Sequence, residues 1–208
     1  MLRIALINGS PKVKDSASGC LLKELQEQLK GCELQEYSLP TPVIKNPEDI
    51  INHDVLVFCF PLYVDGLPSH LLSCLGELRS KLEGQNKDVK VYAISNAGFY
   101  EGHQNKYALQ MIRNWSVKCG LSWGQGVGIG GGGMVLGLQN VPHGKGPKKN
   151  LSLALDALAS NILTGGIAEN LYVNAGIPRF LYKMAAEMGW RQSARANGLK
   201  PKDLYTKY

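Results

Sequence analysis

Between Ser10 and Ser18 the chain gathers three hydroxyls and two ammonium groups, those of Ser10, Lys12, Lys14, Ser16 and Ser18. Hydroxyls donate to oxyanions, and lysines add positive charge beside them. Just beyond, Leu21, Leu22, Leu25 and Leu29 fall at helical spacing, so a helix has to open at Ser16 or Ser18, either of which can cap it. The unpaired amides of that first turn and the positive end of the helix dipole favour an anion, and a phosphate fits this chemistry best. A plainer reading stays open: serine caps helices whatever their function, and a capped helix can bind nothing.

The spacing excludes two common phosphate binders. A Walker A loop needs Gly-x4-Gly-Lys-Ser/Thr, and a dinucleotide fingerprint needs Gly-x-Gly-x-x-Gly in this first turn; Asn8-Gly9-Ser10-Pro11 followed by Asp15-Ser16-Ala17-Ser18-Gly19 is neither. A hydroxyl-rich loop poor in glycine suits a terminal phosphomonoester that can be enclosed, such as that of flavin mononucleotide. Two further loops carry aromatic side chains and backbone amides suited to a planar ring with polar edges. They are Pro61-Leu62-Tyr63-Val64-Asp65-Gly66-Leu67-Pro68 and Asn96-Ala97-Gly98-Phe99-Tyr100-Glu101-Gly102.

Each loop follows an apolar run. Leu2 to Ile7, Val55 to Phe60 and Val89 to Ser95 read as buried strands, Glu33 to Leu39 as a strand near an edge, and Leu121 to Ile129 as a fifth strand broken by glycines and prolonged into a flexible turn at Gly130 to Gly133. Between them lie helical patterns: Leu71, Leu72, Leu75, Leu78 and Leu82; a long helix to about Cys119; and Leu151, Leu155, Leu158 and Ile162. Alternation of this kind predicts an α/β fold, a flavodoxin-like doubly wound five-stranded parallel sheet of order 2-1-3-4-5. Ligands of such sheets sit beyond the C-terminal strand ends where the order reverses, which places the three loops side by side. The length suits a single domain over 1–208, with a core to about 164 and a helical C-terminal extension over 165–208. In that extension Ala168 to Ala175 reads as extended, and a helix from Pro178 carries Phe180, Leu181, Met184, Met188 and Trp190.

Taken together, Gly9-Ser10-Pro11 with Ser16-x-Ser18, Pro61-Leu62-Tyr63-x-x-Gly66-x-Pro68 and Asn96-x-Gly98-Phe99 resemble the NADPH-dependent FMN reductase family of flavodoxin-like flavoproteins, over roughly residues 1–133. The resemblance implies that Ser10, Pro11, Lys12, Ser16, Ala17 and Ser18 hold the FMN phosphate. By the same resemblance Pro61, Leu62, Tyr63, Val64 and Asp65 line the isoalloxazine, and Asn96, Ala97, Gly98 and Phe99 its pyrimidine end. It implies an oxidoreductase that takes hydride from NADPH or NADH and passes electrons to a small-molecule acceptor such as a quinone, nitro or azo compound, free flavin or metal ion, with no side chain needed as acid or base. The alternative is an FMN-binding electron carrier that docks redox proteins, and further back a phosphate-binding module without flavin.

Composition narrows the partners. A net charge of +6, with lysines and arginines spread along the chain, gives little support to nucleic-acid binding, and no run is long and apolar enough to span a membrane, so neither partner is expected. The five cysteines, Cys20, Cys32, Cys59, Cys74 and Cys119, fall in predicted elements or at their ends, which points to reduced thiols and a cytoplasmic setting. No cysteine lies between Tyr37 and Asp54, where one branch of the family holds an iron-sulfur cluster, and the four histidines lack metal-ligand spacing. Gly126-x-Gly128-x-x-Gly131 matches a dinucleotide fingerprint in form only; in a strand and its turn it reads as close backbone packing. The apolar residues of the extension lead us to expect a homodimer or larger homo-oligomer, with the extension at the contact or closing over the cofactor.

Overall fold

The computed structural model describes residues 1–85 and 88–206. Its aliphatic runs pair side by side, all in parallel: β1 (Arg3–Asn8), β2 (Glu33–Ser38), β3 (Val55–Pro61), β4 (Lys90–Asn96), β5 (Ser122–Ile129) and β6 (Leu171–Val173), in the order β2-β1-β3-β4-β5-β6. Neighbouring residues on a strand point to opposite faces. Ala5, Ile7, Leu56, Phe58, Val91 and Ala93 therefore build one core, under α2 (Pro47–Ile51), α3 (Ser69–Leu82) and α4 (Lys106–Lys118). Ile4, Leu6, Val55, Val57, Tyr92, Ile94 and Val127 build the other, under α1 (Ala17–Gln26), the short α5 (Gly132–Val135) and α6 (Lys149–Thr164). Burial on both faces is why β3 reads as an unbroken apolar run with no alternation.

The sheet has six strands where the sequence predicts five. Without β6, strand β5 would end the sheet with its polar edge unpaired, and Leu171–Val173 pairs with Val127, Gly128 and Ile129 along it. Three residues are too few to show a strand period. The core consequently runs past residue 164: the chain divides into two compact units, Met1–Gly176 and Ile177–Tyr208. Within the second, α7 (Arg179–Ala196) is followed by a 3-10 turn over Pro201–Tyr205, and Leu199 N donates to Ala194 O across the helix end. Ala194 is the only buried residue among those described in this unit.

Two polar devices hold the first unit together. The Lys148 ammonium, nearly fully buried, meets the Glu24 carboxylate of α1 and the Val141 carbonyl, while His143 Nε2 lies 2.9 Å from Asp156 Oδ1 of α6. These pairs pin the basic loop before α6 to both helices. On β4 the fully buried Tyr92 ring fits against Gly124, where a Cβ would stand 2.3 Å from it, at the point where the β4–β5 register shifts. Its hydroxyl lies 2.9 Å from the carbonyls of both Asn161 and Gly166, closing the end of α6 onto the sheet.

Burial raises the Tyr92 hydroxyl above its ordinary pKa of 10.0. A raised acid binds its proton more tightly in the folded chain, so its contribution is complete below pH 10 and falls as pH rises through 10 toward the folded value. Tyr92→Phe should cost about 1 kcal/mol at neutral pH, from the lost hydrogen bond, and flatten the alkaline fall in stability. Urea unfolding between pH 7 and 11 checks both; parallel curves for the two proteins would contradict the assignment.

Candidate functional site

The strand order reverses between β1 and β3, and there the loops after β1, β3 and β4 leave adjacent parallel strands at their C-terminal ends. Gly9 makes the first close approach. Its amide donates to Cys59 O, and a Cβ would lie 2.8 Å from the Leu71 side chain. Asn8, not singled out in the sequence, folds the β1 loop: its Oδ1 accepts from Ser10 N at 3.0 Å and its Nδ2 donates to Ser16 Oγ at 3.3 Å.

Ser16 is the cap of α1, with extended backbone and Oγ accepting from Gly19 N at 3.0 Å. Ser10 Oγ accepts from Lys12 N at 3.2 Å. All three serines are buried, whereas Pro11, Lys12, Lys14 and Asp15 are exposed. The amides of Ala17 and Ser18 carry no hydrogen bond to any of the described residues. Ser18 differs from the other two serines: its Oγ accepts from Asn96 Nδ2 at 3.0 Å and adjoins the Cys59 thiol, which burial pushes far up. Cys59 is therefore an inert thiol below the loop.

After β3, Leu62 N donates to Asn96 O, while Tyr63 and Gly66 exchange two backbone hydrogen bonds around Val64 and Asp65. Both tip residues have left-handed backbone, φ 47° and 58°. A two-residue turn of this hand ordinarily takes Asn-Gly, and a β-branched residue in it is strained. Val64 is fully exposed, with Tyr63 and Phe99 about half exposed nearby in sequence or on the next loop.

Asn96 ends β4 and is buried, and its Nδ2 also donates to Phe60 O at 3.0 Å. One carboxamide thus ties the ends of β3 and β4 to the start of α1. Behind it, the glycine run read as flexible is held: Gly130 N donates to Val173 O, Gly131 N to Phe99 O and Gly132 N to Ala97 O. A Cβ on Gly130 would stand 2.1 Å from Tyr100 O, and one on Gly128 2.7 Å from Gly102 O. Asn105, fully buried, bonds Ser95 Oγ and the carbonyls of Gly102 and Ile129. The loop after β4 rests on this glycine surface, and no single spacing in the sequence announces it.

The site faces an open rim. A hollow of about 530 Å³ beside the β1 loop lies on its other side toward β2, lined by Asn8, Lys14, Ser16, Lys23, Glu36 and Ser38. His103, just past the β4 loop, packs edge-on against Tyr172 with ring centroids 4.9 Å apart. No group of metal-ligating side chains occurs among the described residues.

No protein-family model and no curated protein sequence matches the chain. Solved structures do. An NADH:FMN oxidoreductase in its apo form is 14% identical, with 86% of this chain and 97% of that one covered and a TM-score of 0.60. An NAD(P)H:quinone oxidoreductase from Methanothermobacter marburgensis is 13% identical, covering 77% and 96%, with a TM-score of 0.58. A short-chain flavodoxin associated with a bacterial microcompartment is 13% identical over 79% and 99%, at 0.54. These likenesses establish a flavodoxin-like fold.

Asn96→Ala should cost about 1–3 kcal/mol, since it leaves buried partners unpaired. Asn96→Asp should cost more, setting a carboxylate against the Phe60 carbonyl. Chemical denaturation of the two variants tests this, and wild-type stability in both would mean that the amide ties nothing.

Proposed function

We propose that the chain is an FMN-dependent oxidoreductase that takes hydride from NADH or NADPH and delivers electrons to a small-molecule acceptor. The observation that carries this reading is the set of uncommitted donors at the β1 loop: the amides of Ala17 and Ser18, with the hydroxyls of Ser10 and Ser16 fixed beside them through their oxygens. A phosphomonoester needs such donors, and the exposed Lys12 and Lys14 add charge next to them. The residues present fit FMN. Ser18, whose hydroxyl accepts from Asn96 and is turned toward the buried Cys59 thiol, would contribute its amide.

FMN, when bound, supplies the hydride and electron chemistry. The chain's part is to hold the phosphate, to set Tyr63, Val64 and Phe99 about the ring, and to offer the amides of Val64 and Asp65 to its polar edge. The amides of Leu62, Tyr63 and Ala97 are spent within the chain and are not available for that task. Pro61 and the Asn96 tie fix the backbone beneath, and Gly98, with open space around it, lets a ring approach.

The likeness to NADH:FMN and NAD(P)H:quinone oxidoreductases supports an acceptor of the quinone or flavin class. The exposed rim also suits the second reading, an FMN-binding electron carrier docking a protein, and the flavodoxin likeness supports that as well. We further propose a homodimer or larger assembly, and a cytoplasmic setting, the latter supported by the five free cysteines. No helix among the described residues is long and apolar enough to cross a membrane.

Ser10→Ala should weaken FMN binding by about 1.5–3 kcal/mol, tenfold or more, because a donor to a charged oxygen is lost. Fluorescence titration of FMN reads this directly; unchanged affinity would remove the phosphate from this loop. Tyr63→Ala should shift the bound flavin's spectrum or potential while phosphate affinity holds. Steady oxidation of NADH or NADPH with an added quinone separates the enzyme from the carrier.

A further inference from the structure

Residues 177–208 hold seven of the chain's 23 basic residues and two of its 17 acidic ones, so +5 of the net +6 resides in this second unit and +1 in the first. The even spread of cations read from the sequence therefore does not hold between the units. The same unit carries Phe180, Leu181, Met184, Met188, Trp190, Leu199, Leu204 and Tyr205, all exposed, Trp190 at 67%. Phe180, Met184 and Met188 follow one another at helical spacing along α7, with Leu181 alongside, and Arg191 and Arg195 continue the same stripe toward the C-terminus. Arg191 pairs with Glu187 at 3.3 Å, one turn back along the helix. An 18-residue helix of which Ala194 alone is buried is marginal by itself, so its apolar stripe calls for a partner.

We infer that the unit over 177–208 docks the protein on the surface of an anionic lipid bilayer, without spanning it. Charge selects an anionic partner: a second copy offers a unit of +1 or another of +5, and neither complements this one. The large aliphatic side chains select among anionic partners, since Leu181, Met184, Met188 and Leu204 have no apolar counterpart on a nucleic-acid backbone but can enter the acyl boundary below lipid headgroups. Trp190 and Tyr205 are residues favoured at that boundary, and the arginines and lysines meet lipid phosphates. This departs from the expectation of no membrane partner, which rested on the absence of a spanning run, and it is independent of the flavin reading.

The test is sedimentation of the full-length protein with vesicles of phosphatidylcholine alone or with about one third phosphatidylglycerol. Expected are binding to the anionic vesicles only and release by salt; the Trp190 ring lies off the stripe, so its emission is not the readout. Arg191→Glu with Arg195→Glu, and separately Met184→Glu with Met188→Glu, should each weaken binding about tenfold or more. Salt dependence of the wild type serves if a variant fails to fold. Equal binding to both vesicles, binding to neither, or variants that bind like wild type would overturn the proposal. So would tighter binding to single-stranded RNA, or a dimer in solution that protects α7 from hydrogen exchange before any lipid is added.

Discussion

The Asn96 carboxamide is the interaction on which the site depends. Its Nδ2 spans two acceptors, Phe60 O on β3 and Ser18 Oγ at the start of α1, while the Asn96 carbonyl receives Leu62 N. Parallel strands carry no hairpin at their shared end, so nothing local relates one loop to the next. A buried amide at the switch point supplies that relation, and in a water-poor site each of its hydrogen bonds is expensive to leave unmade. One consequence concerns Ser18: its hydroxyl suits a phosphate by type, but it accepts from Asn96 and adjoins the buried Cys59 thiol, and so it serves the frame.

Strain is confined to the same region. Among the described residues, the non-glycine residues with left-handed backbone are Asp15, Val64 and Asp65, all in the loops after β1 and β3. Such conformations cost about 1–3 kcal/mol each and persist where the surroundings over-determine them. Around Val64 and Asp65 that determination comes from the paired hydrogen bonds of Tyr63 and Gly66, with Leu62 N held by Asn96 O. The glycine surface beneath the β4 loop acts in the same sense, since Gly102, Gly128 and Gly130 bring backbones to distances at which any Cβ would collide. Strained tips and a rigid floor together give an ordered rim whose apolar side chains stay exposed.

The two units solve different physical problems. Met1–Gly176 buries its apolar residues on both faces of a sheet and is nearly neutral; Ile177–Tyr208 leaves its apolar residues in water and holds most of the positive charge. A helix of this kind gains little from its own packing, with Ala194 alone buried, and its stability belongs to whatever covers it.

Where interactions are local, the sequence by itself determined the outcome. Leu21, Leu22 and Leu25 announce the buried side of α1, with Leu29 buried just past its end, and Leu151, Leu155, Leu158 and Ile162 that of α6, because a helix repeats its face every 3.6 residues; Leu72, placed with the buried leucines of α3, is instead exposed at the edge of that stripe. The apolar run Val55 to Phe60 fixes β3 at the centre, Ser16 takes the cap position its hydroxyl suits, and the alternation of elements implies the parallel order from β2 to β5. Tertiary structure alone decided the rest. The bond from Asn96 to Ser18 joins residues 78 apart, and that between Gly126 N and Asn170 joins residues 44 apart. Neither spacing has a period to read. The pairing of β6, the use of the glycine run as a floor rather than a flexible turn, and the division of donors between ligand and frame all follow from which chain ends the sheet brings together, and periodicity, a property of neighbours along the chain, carries no record of that.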